Sequence, residues 1–522
     1  MNLLKAASSV SLLTLLSRIT GLVRDSLMAH LFGASALTDA FLLAFRIPNL
    51  LRRLFAEGAF SQAFVPLLAA ERATHGDEQT HTLVNAVATV LAWSLLLTCA
   101  VGIVGAPALV AVMGPGLDKT PGATELAVSL TRWMFPYIGF MSLVALSAGV
   151  LNTWKRFWVA AATPVLLNVS VVLLTWLLAP KMPAWGLNPL YAQAAGVMVG
   201  GVLQLAVQVP ALARIGMIPR IAMTPGGIRA AWRFEGVRKV LRLMGPAVLG
   251  VSVAQVSLII NTAVATLVSP GAPTWLAYAD RLMEFPTGLL GVALGVVLTP
   301  SLSAQQAKGD TDGYSRTLDW GLRMVVMLAL PCAAALLVFA EPLVAALFHN
   351  GRFTDQDVRQ TALAVMAYGV GLVGIVSVKV LAPGFYAKQD IRTPVKVAVV
   401  VLVLTQCMNA VLVPWMGHPA LSLTLGLGAS VNALWLLVSL RRRGSYRPEP
   451  GWLKFVGQLV LASLAMAAFL WYTQMPVDWM ALKGHWFKRT GLLLATVAAA
   501  IAVYFSVLAL SGVRLRAFMK RA

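Results

Sequence analysis

Long apolar runs separated by short polar turns dominate the chain. Fourteen runs are long enough to cross a membrane, which takes about 20 apolar residues. They span roughly 8–33, 38–69, 83–113, 124–152, 158–179, 189–213, 240–268, 274–304, 319–348, 358–387, 394–416, 419–440, 453–473 and 489–511. The pattern predicts an all-α polytopic membrane protein with about 14 transmembrane helices. The second and eighth runs carry charges and a proline, Pro48 and Pro286, so bent or broken helices are expected there.

Composition supports the same class. The chain is 59% hydrophobic and 12% charged, against about 25% charged residues in a soluble protein. No small-residue cleavage site follows the first run, so that run is expected to stay in the mature protein.

A net charge of +21 suggests nucleic acid in a soluble chain, but here its distribution assigns it to topology. With the N-terminus in the cytoplasm and alternating spans, 26 of the 41 lysines and arginines fall inside, 7 outside and the rest within spans. That is a positive-inside bias, and it puts both termini in the cytoplasm. No nucleic-acid partner is expected.

The basic stretch 214–242, RIGMIPRIAMTPGGIRAAWRFEGVRKVLR, has the pattern of an amphipathic linker on an anionic leaflet. It divides the chain into a first lobe (1–213), the linker (214–242), a second lobe (243–443) and a last segment (444–522) holding spans 13 and 14 and a basic tail.

The two lobes resemble one another in sequence. Asp39 of TDAFLLAFRIP aligns with Asp280 of AYADRLMEFP, Pro66 with Pro300, and Thr163-Pro164 with Thr393-Pro394. Each lobe holds six spans, so both cross in the same sense, as parallel repeats about an axis along the membrane normal. Two lobes around a central cavity form a common transporter plan.

Charges inside the spans are the candidate functional residues. A charge near a bilayer centre costs roughly 2.5–3.5 kcal/mol on insertion scales, and such residues usually face water or each other. The cations are Arg18, Arg24, Arg46, Arg52, Arg53, Arg132, Arg281 and Lys379; the anions include Asp25, Asp39, Glu57, Asp280 and Glu284. Arg18 and Arg24 stand about 9 Å apart along one helix. Asp25 is placed to pair with an arginine of a neighbouring helix, and Glu57 with Arg52 or Arg53. Arg18, Arg24 and Arg281 lie in the leading helices of the lobes, where a shared cavity would be lined. An excess of cation there suits a phosphate-bearing substrate, because the guanidinium fork binds phosphate oxygens in pairs.

Catalysis finds no support. The six histidines show no HExxH spacing, the three cysteines (Cys99, Cys332 and Cys407) lie in apolar runs, and there is no Walker motif. A glycosyltransferase would want a sizeable extramembrane loop, and the outer loops are short, as in YTQMPVDWMALKGHWFK. No cofactor is expected.

SRITGLVRDSLMAHLFGASALTDAFLLAFRIPNLLRRLFAEGAFSQAFVP, YADRLMEFPTGLLGVALGVVLTPSLS and VKVLAPGFYAKQDIRTPVK, with the fourteen-span layout, closely resemble the MurJ (MviN) lipid II flippases of the MOP exporter superfamily. The resemblance covers essentially the whole chain. It implies movement of lipid-linked peptidoglycan precursor from the cytoplasmic to the periplasmic leaflet of a bacterial inner membrane. In that family a cationic cavity takes the head group and a groove formed with the last two spans holds the tail. Carried over by motif, Arg18, Arg24, Arg281 and Arg52 would bind substrate. Asp25, Asp39, Glu57, Asp280, Glu284 and Lys379 would support or gate the cavity. Implied partners are lipid II, membrane lipids and cell-wall synthesis proteins. A sister MOP flippase for another undecaprenyl-linked oligosaccharide such as O-antigen is the alternative. Spans seven and eleven contain no Asp or Glu, only Gln255, Asn261, Gln406 and Asn409 as amides. They thus lack the acidic residues through which some family members bind sodium. Coupling to membrane potential or to ions stays open.

Overall fold

The computed structural model describes residues 3–52 and 60–513, with most of their side chains. Seventeen α-helices and no strands are found among the described residues. In chain order they are α1 (Leu3–Phe32), α2 (Ala36–Arg52), α3 (Ser61–Met113), α4 (Ala123–Met134), α5 (Tyr137–Thr153), α6 (Phe157–Leu178), α7 (Tyr191–Ala213), α8 (Pro225–Arg233), α9 (Glu235–Val268), α10 (Ala272–Lys308), α11 (Thr311–Val338), α12 (Ala340–Phe348), α13 (Asp355–Tyr386), α14 (Arg392–Met416), α15 (Pro419–Arg442), α16 (Trp452–Gln474) and α17 (Trp486–Leu510).

Ten helical segments among the described residues are long and apolar enough to cross a membrane. α1, α2, α9 and α10 fall outside that set. Three of these four, α1, α2 and α10, carry charges singled out above. α10 runs unbroken from Ala272 to Lys308 through Pro286 and Pro300, so the expected break in the eighth span is not there. α2 likewise continues past Pro48 to Arg52, while 53–59 lie outside the described residues. Breaks occur elsewhere: at Gly76 within α3 (φ 79°), between α4 and α5 at Pro136, and between α11 and α12 at Phe339.

The chain forms two compact units, Met1–Met28 with Ser35–Pro270, and Ala29–Ala34 with Gly271–Ala522. Compactness thus groups α9 with the first unit, whereas sequence similarity sets it at the head of the second lobe. The reason is its contacts: Arg46 donates to Thr262 Oγ1 at 2.8 Å, and Thr266 Oγ1 accepts from the Gly116 amide at 3.2 Å.

In the first unit small residues let α6 and α7 approach closely. A Cβ on Gly196 would sit 2.6 Å from Val171 Cα, and Ser170 Oγ donates to Gly196 O at 2.9 Å. Aromatic and aliphatic side chains of α3, its N-cap residue Phe60 and α5 make the core: Phe60, Phe64, Leu83, Val84, Leu146 and Val150 are all buried. The stretch after α7 runs back along α3 as an extended strap. His81 Nε2 meets Ile218 O at 2.9 Å, Asn85 Oδ1 accepts from Arg220 N at 2.7 Å, Thr89 Oγ1 accepts from Ala222 N at 3.0 Å, and Trp93 Nε1 donates to Ala222 O at 3.0 Å. Those four side chains recur every fourth residue, so they form one stripe on the helix. Thr224 then caps α8 through Gly227 N, with Pro225 at its first position.

In the second unit a Cβ on Gly371 of α13 would overlap the backbone of Gly426 of α15, so glycine is required at that crossing. α16 and α17 are anchored at both ends. Asp319 of α11, fully buried, accepts from Arg323, Tyr446, Glu449 N and Trp452. At the other end Arg489 donates to His349 O at 2.8 Å and Asn350 Oδ1 at 3.0 Å; further along α17, Tyr504 donates to Met327 O of α11 at 2.5 Å. The last turn of α1 joins this unit, with Arg352 N donating to His30 O at 2.9 Å. Gly33 there has φ +62°, and a Cβ would press on Arg352 O at 2.7 Å.

Candidate functional site

In the first unit the site is built on α1. Arg24 gives Nε and Nη2 to Asp25 Oδ1, at 2.9 and 2.7 Å, and Nη1 to Asn168 Oδ1 at 3.1 Å. Asn168 of α6 returns its amide to Ser17 O at 3.0 Å and Thr20 Oγ1 at 3.2 Å. Asp25 is 7% exposed and Arg24 is half-buried. The sequence suggests an arginine of a neighbouring helix for Asp25; the structure also pairs it with its own neighbour in the chain, Arg24. A carboxylate beside a guanidinium, and an amide beyond it, fix the fork in one direction. Arg18 lies six residues earlier on α1, about one and two-thirds turns, and is half-buried.

Asn168 is not among the sequence candidates. The signal is there: a single amide inside the otherwise apolar VLLNVS. Asp39 is buried in the first turn of α2. Arg46, a cation without an assigned partner in the sequence, reaches Thr262. Arg132 donates to Ile103 O at 3.3 Å. The side chain of Arg52, and Arg53 and Glu57 altogether, lie outside the described residues.

In the second unit the charges gather along α10 and α13. Asp280 accepts from the Tyr368 hydroxyl. Arg281 Nη1 meets Glu284 Oε2 at 2.7 Å, one turn on. Lys379 Nζ donates to Thr287 O at 2.8 Å, just after Pro286. Two α13 side chains, Tyr368 and Lys379, thus hold α10 on either side of Arg281. Sequence reading also misses Tyr368, because a tyrosine in an apolar run carries no charge to mark it. The α14 amides pair locally: Asn409 donates to Gln406 Oε1 at 3.1 Å and accepts from Thr424 Oγ1 at 2.5 Å. Among the described residues no group of three or more His, Cys, Asp or Glu is placed to hold a metal ion.

The helical arrangement matches membrane exporters. An inward-facing multidrug transporter of the MATE family, MOP superfamily, superposes with a TM-score of 0.62 at 16% identity, over 83% of this chain and 94% of that one. A structure described as lipid II flippase MurJ, inward closed conformation, superposes with a TM-score of 0.79 at 23% identity, over 95% of this chain and 97% of that one. The chain therefore shares the fold of these two structures.

Sequence narrows it further. The family profile described as lipid II flippase MurJ matches residues 28–487. The Burkholderia cenocepacia protein named lipid II flippase MurJ is 51% identical over 522 residues, covering all of both chains. This chain belongs to the MurJ family of lipid II flippases.

Proposed function

We propose that this protein is a transporter that moves lipid II, the undecaprenyl-pyrophosphate-linked peptidoglycan precursor, across the membrane from the cytoplasmic to the periplasmic leaflet. Family membership over the whole chain supports the substrate. The observation that carries the chemistry is the Arg24–Asp25–Asn168 arrangement, a guanidinium oriented from two sides within an apolar helix. A fork so fixed replaces water around a phosphate with little reorganisation.

In this reading Arg18 and Arg24, with Arg281 and Arg52, bind the pyrophosphate. Asp25, Asp39, Glu57, Asp280, Glu284 and Lys379 position or gate them. The site opens to one leaflet and then the other, by alternating access. The chain makes fourteen crossings of the bacterial inner membrane with both termini in the cytoplasm, as the positive-inside bias indicates. No cofactor takes part; membrane potential or an ion supplies the drive. Partners among cell-wall synthesis proteins belong to the same proposal.

The test is leaflet accessibility of lipid II in cells depleted of the endogenous flippase and supplied with this protein. Wild type restores outer-leaflet lipid II; Arg24→Ala and Arg281→Ala, at equal membrane abundance, do not. Wild-type accessibility with both variants overturns the assignment of the arginines. Failure of the wild-type chain, with rescue of another undecaprenyl-linked sugar, overturns the substrate.

A further inference from the structure

The first unit contains an apolar groove that the substrate site does not use. Its volume is about 240 Å³, and it is lined by α3, α5 and α9, with Leu91, Leu95, Ile138, Val240, Leu241 and Met244 among its walls. On α3 the lining positions run from Val87 to Thr98, a rise of about 16 Å, and they occupy the face opposite the stripe that holds the strap. On α9 the lining positions 237, 240, 241 and 244 form one face.

Cations flank that face. Arg238 and Arg242 lie one position beyond lining residues on α9, and both are exposed. Lys239 between them is engaged by Glu235 at 3.0 Å. Neither arginine has an acidic partner among the described residues. α8, which leads into α9, adds exposed Arg229 and Arg233 beside Trp232, itself 44% exposed. The strap hydrogen bonds hold this basic helix against α3.

We infer that the groove binds one acyl chain of an anionic phospholipid from the leaflet at the basic end of α9, with its phosphate held by Arg238 and Arg242. Charge complementarity selects the occupant. A dry, elongated groove takes a hydrocarbon chain, and two unpaired guanidinium groups at its side take an anion. The bound lipid is distinct from the transported one. It fills the α3–α9 seam and fastens the linker to the membrane surface. The inference does not depend on the identity of the transported lipid.

The full-length purified protein is stripped of lipid, mixed with palmitoyl-oleoyl phosphatidylglycerol or phosphatidylethanolamine, and read by native mass spectrometry. Retention of phosphatidylglycerol is expected to exceed that of phosphatidylethanolamine about fivefold or more. Arg238→Gln and Arg242→Gln, both at exposed positions, each weaken it about fivefold, from the attraction of one surface cation to an anionic lipid. Leu91→Trp fills the groove and abolishes the preference. Equal retention of the two lipids, or unchanged phosphatidylglycerol retention in the arginine variants, overturns the inference. So does displacement of phosphatidylglycerol by an equimolar polyprenyl phosphate, which would make the groove a substrate-tail site.

Discussion

Asn168 accepts from Arg24 at 3.1 Å and donates to the α1 backbone at Ser17 at 3.0 Å. One amide thus aims a cation and joins two helices. Asn168→Ala removes both, and the bond to Thr20 Oγ1 as well; at about 0.6 kcal/mol for each of three hydrogen bonds inside a membrane, stability falls by roughly 2 kcal/mol. Asn168→Asp keeps an acceptor for Arg24 but adds a negative charge. Flipping is expected to fall further in Asn168→Asp than in Asn168→Ala, although the alanine variant melts lower. The reverse order in a lipid II accessibility assay would make Asn168 purely structural.

Asp25 acts through Arg24, whose Nε and Nη2 it holds. Asp25→Asn should impair flipping less than Arg24→Ala does. The double variant should be no worse than Arg24→Ala, because residues that act as a unit are not additive. An additive double variant would give Asp25 a separate task.

Tyr368 donates to Asp280 across the α10–α13 seam. Tyr368→Phe leaves a carboxylate without this donor, at a cost of about 1–3 kcal/mol. Asp280→Asn keeps an acceptor and should be milder. Thermal melting of the detergent-purified protein orders the two; a milder Tyr368→Phe would show that the hydroxyl does not support Asp280.

Arg489 is fully buried, with His349 O and Asn350 Oδ1 as acceptors. Arg489→Met leaves both without their donor and should lower stability by about 3 kcal/mol, in the range for hydrogen bonds to a charged group. Limited proteolysis should then cut first in the 475–485 loop between α16 and α17. Unchanged cleavage there would show that Arg489 does not anchor α17.

Asp390, in the turn between α13 and α14, accepts from Thr393 and Arg443, which lower its pKa from 3.8 to about 2. Its folded value lies below its unfolded value, so its contribution is present above about pH 4 and fades as pH falls toward 2. The melting advantage of wild type over Asp390→Asn should therefore be constant from pH 5 to 7 and shrink below pH 4. A difference that stays at its neutral-pH size down to pH 2 would place the effect in packing.

Much of this protein was legible in its residues. Apolar runs gave an all-helical membrane chain, because a run that must satisfy its own backbone in lipid has helix as its main option. Arg18, Arg24 and Arg281 stood out because charge in such a run is costly and so needs a reason. The strings around them carried the family. Neutral partners were not legible. Asn168 and Tyr368 have many possible uses in an apolar helix, and only proximity to Arg24 and Asp280 selects one.

The SRITGLVRD helix shows where the division falls. The sequence by itself determined that two arginines and an aspartate sit within one largely apolar run. Tertiary structure decided that Asp25 holds Arg24, that α6 supplies the third partner, and that Pro286 leaves α10 unbroken. Composition and periodicity are properties of each segment alone. Which donor meets which acceptor depends on how helices far apart in the chain pack, and small residues such as Gly196 and Gly371 set that approach.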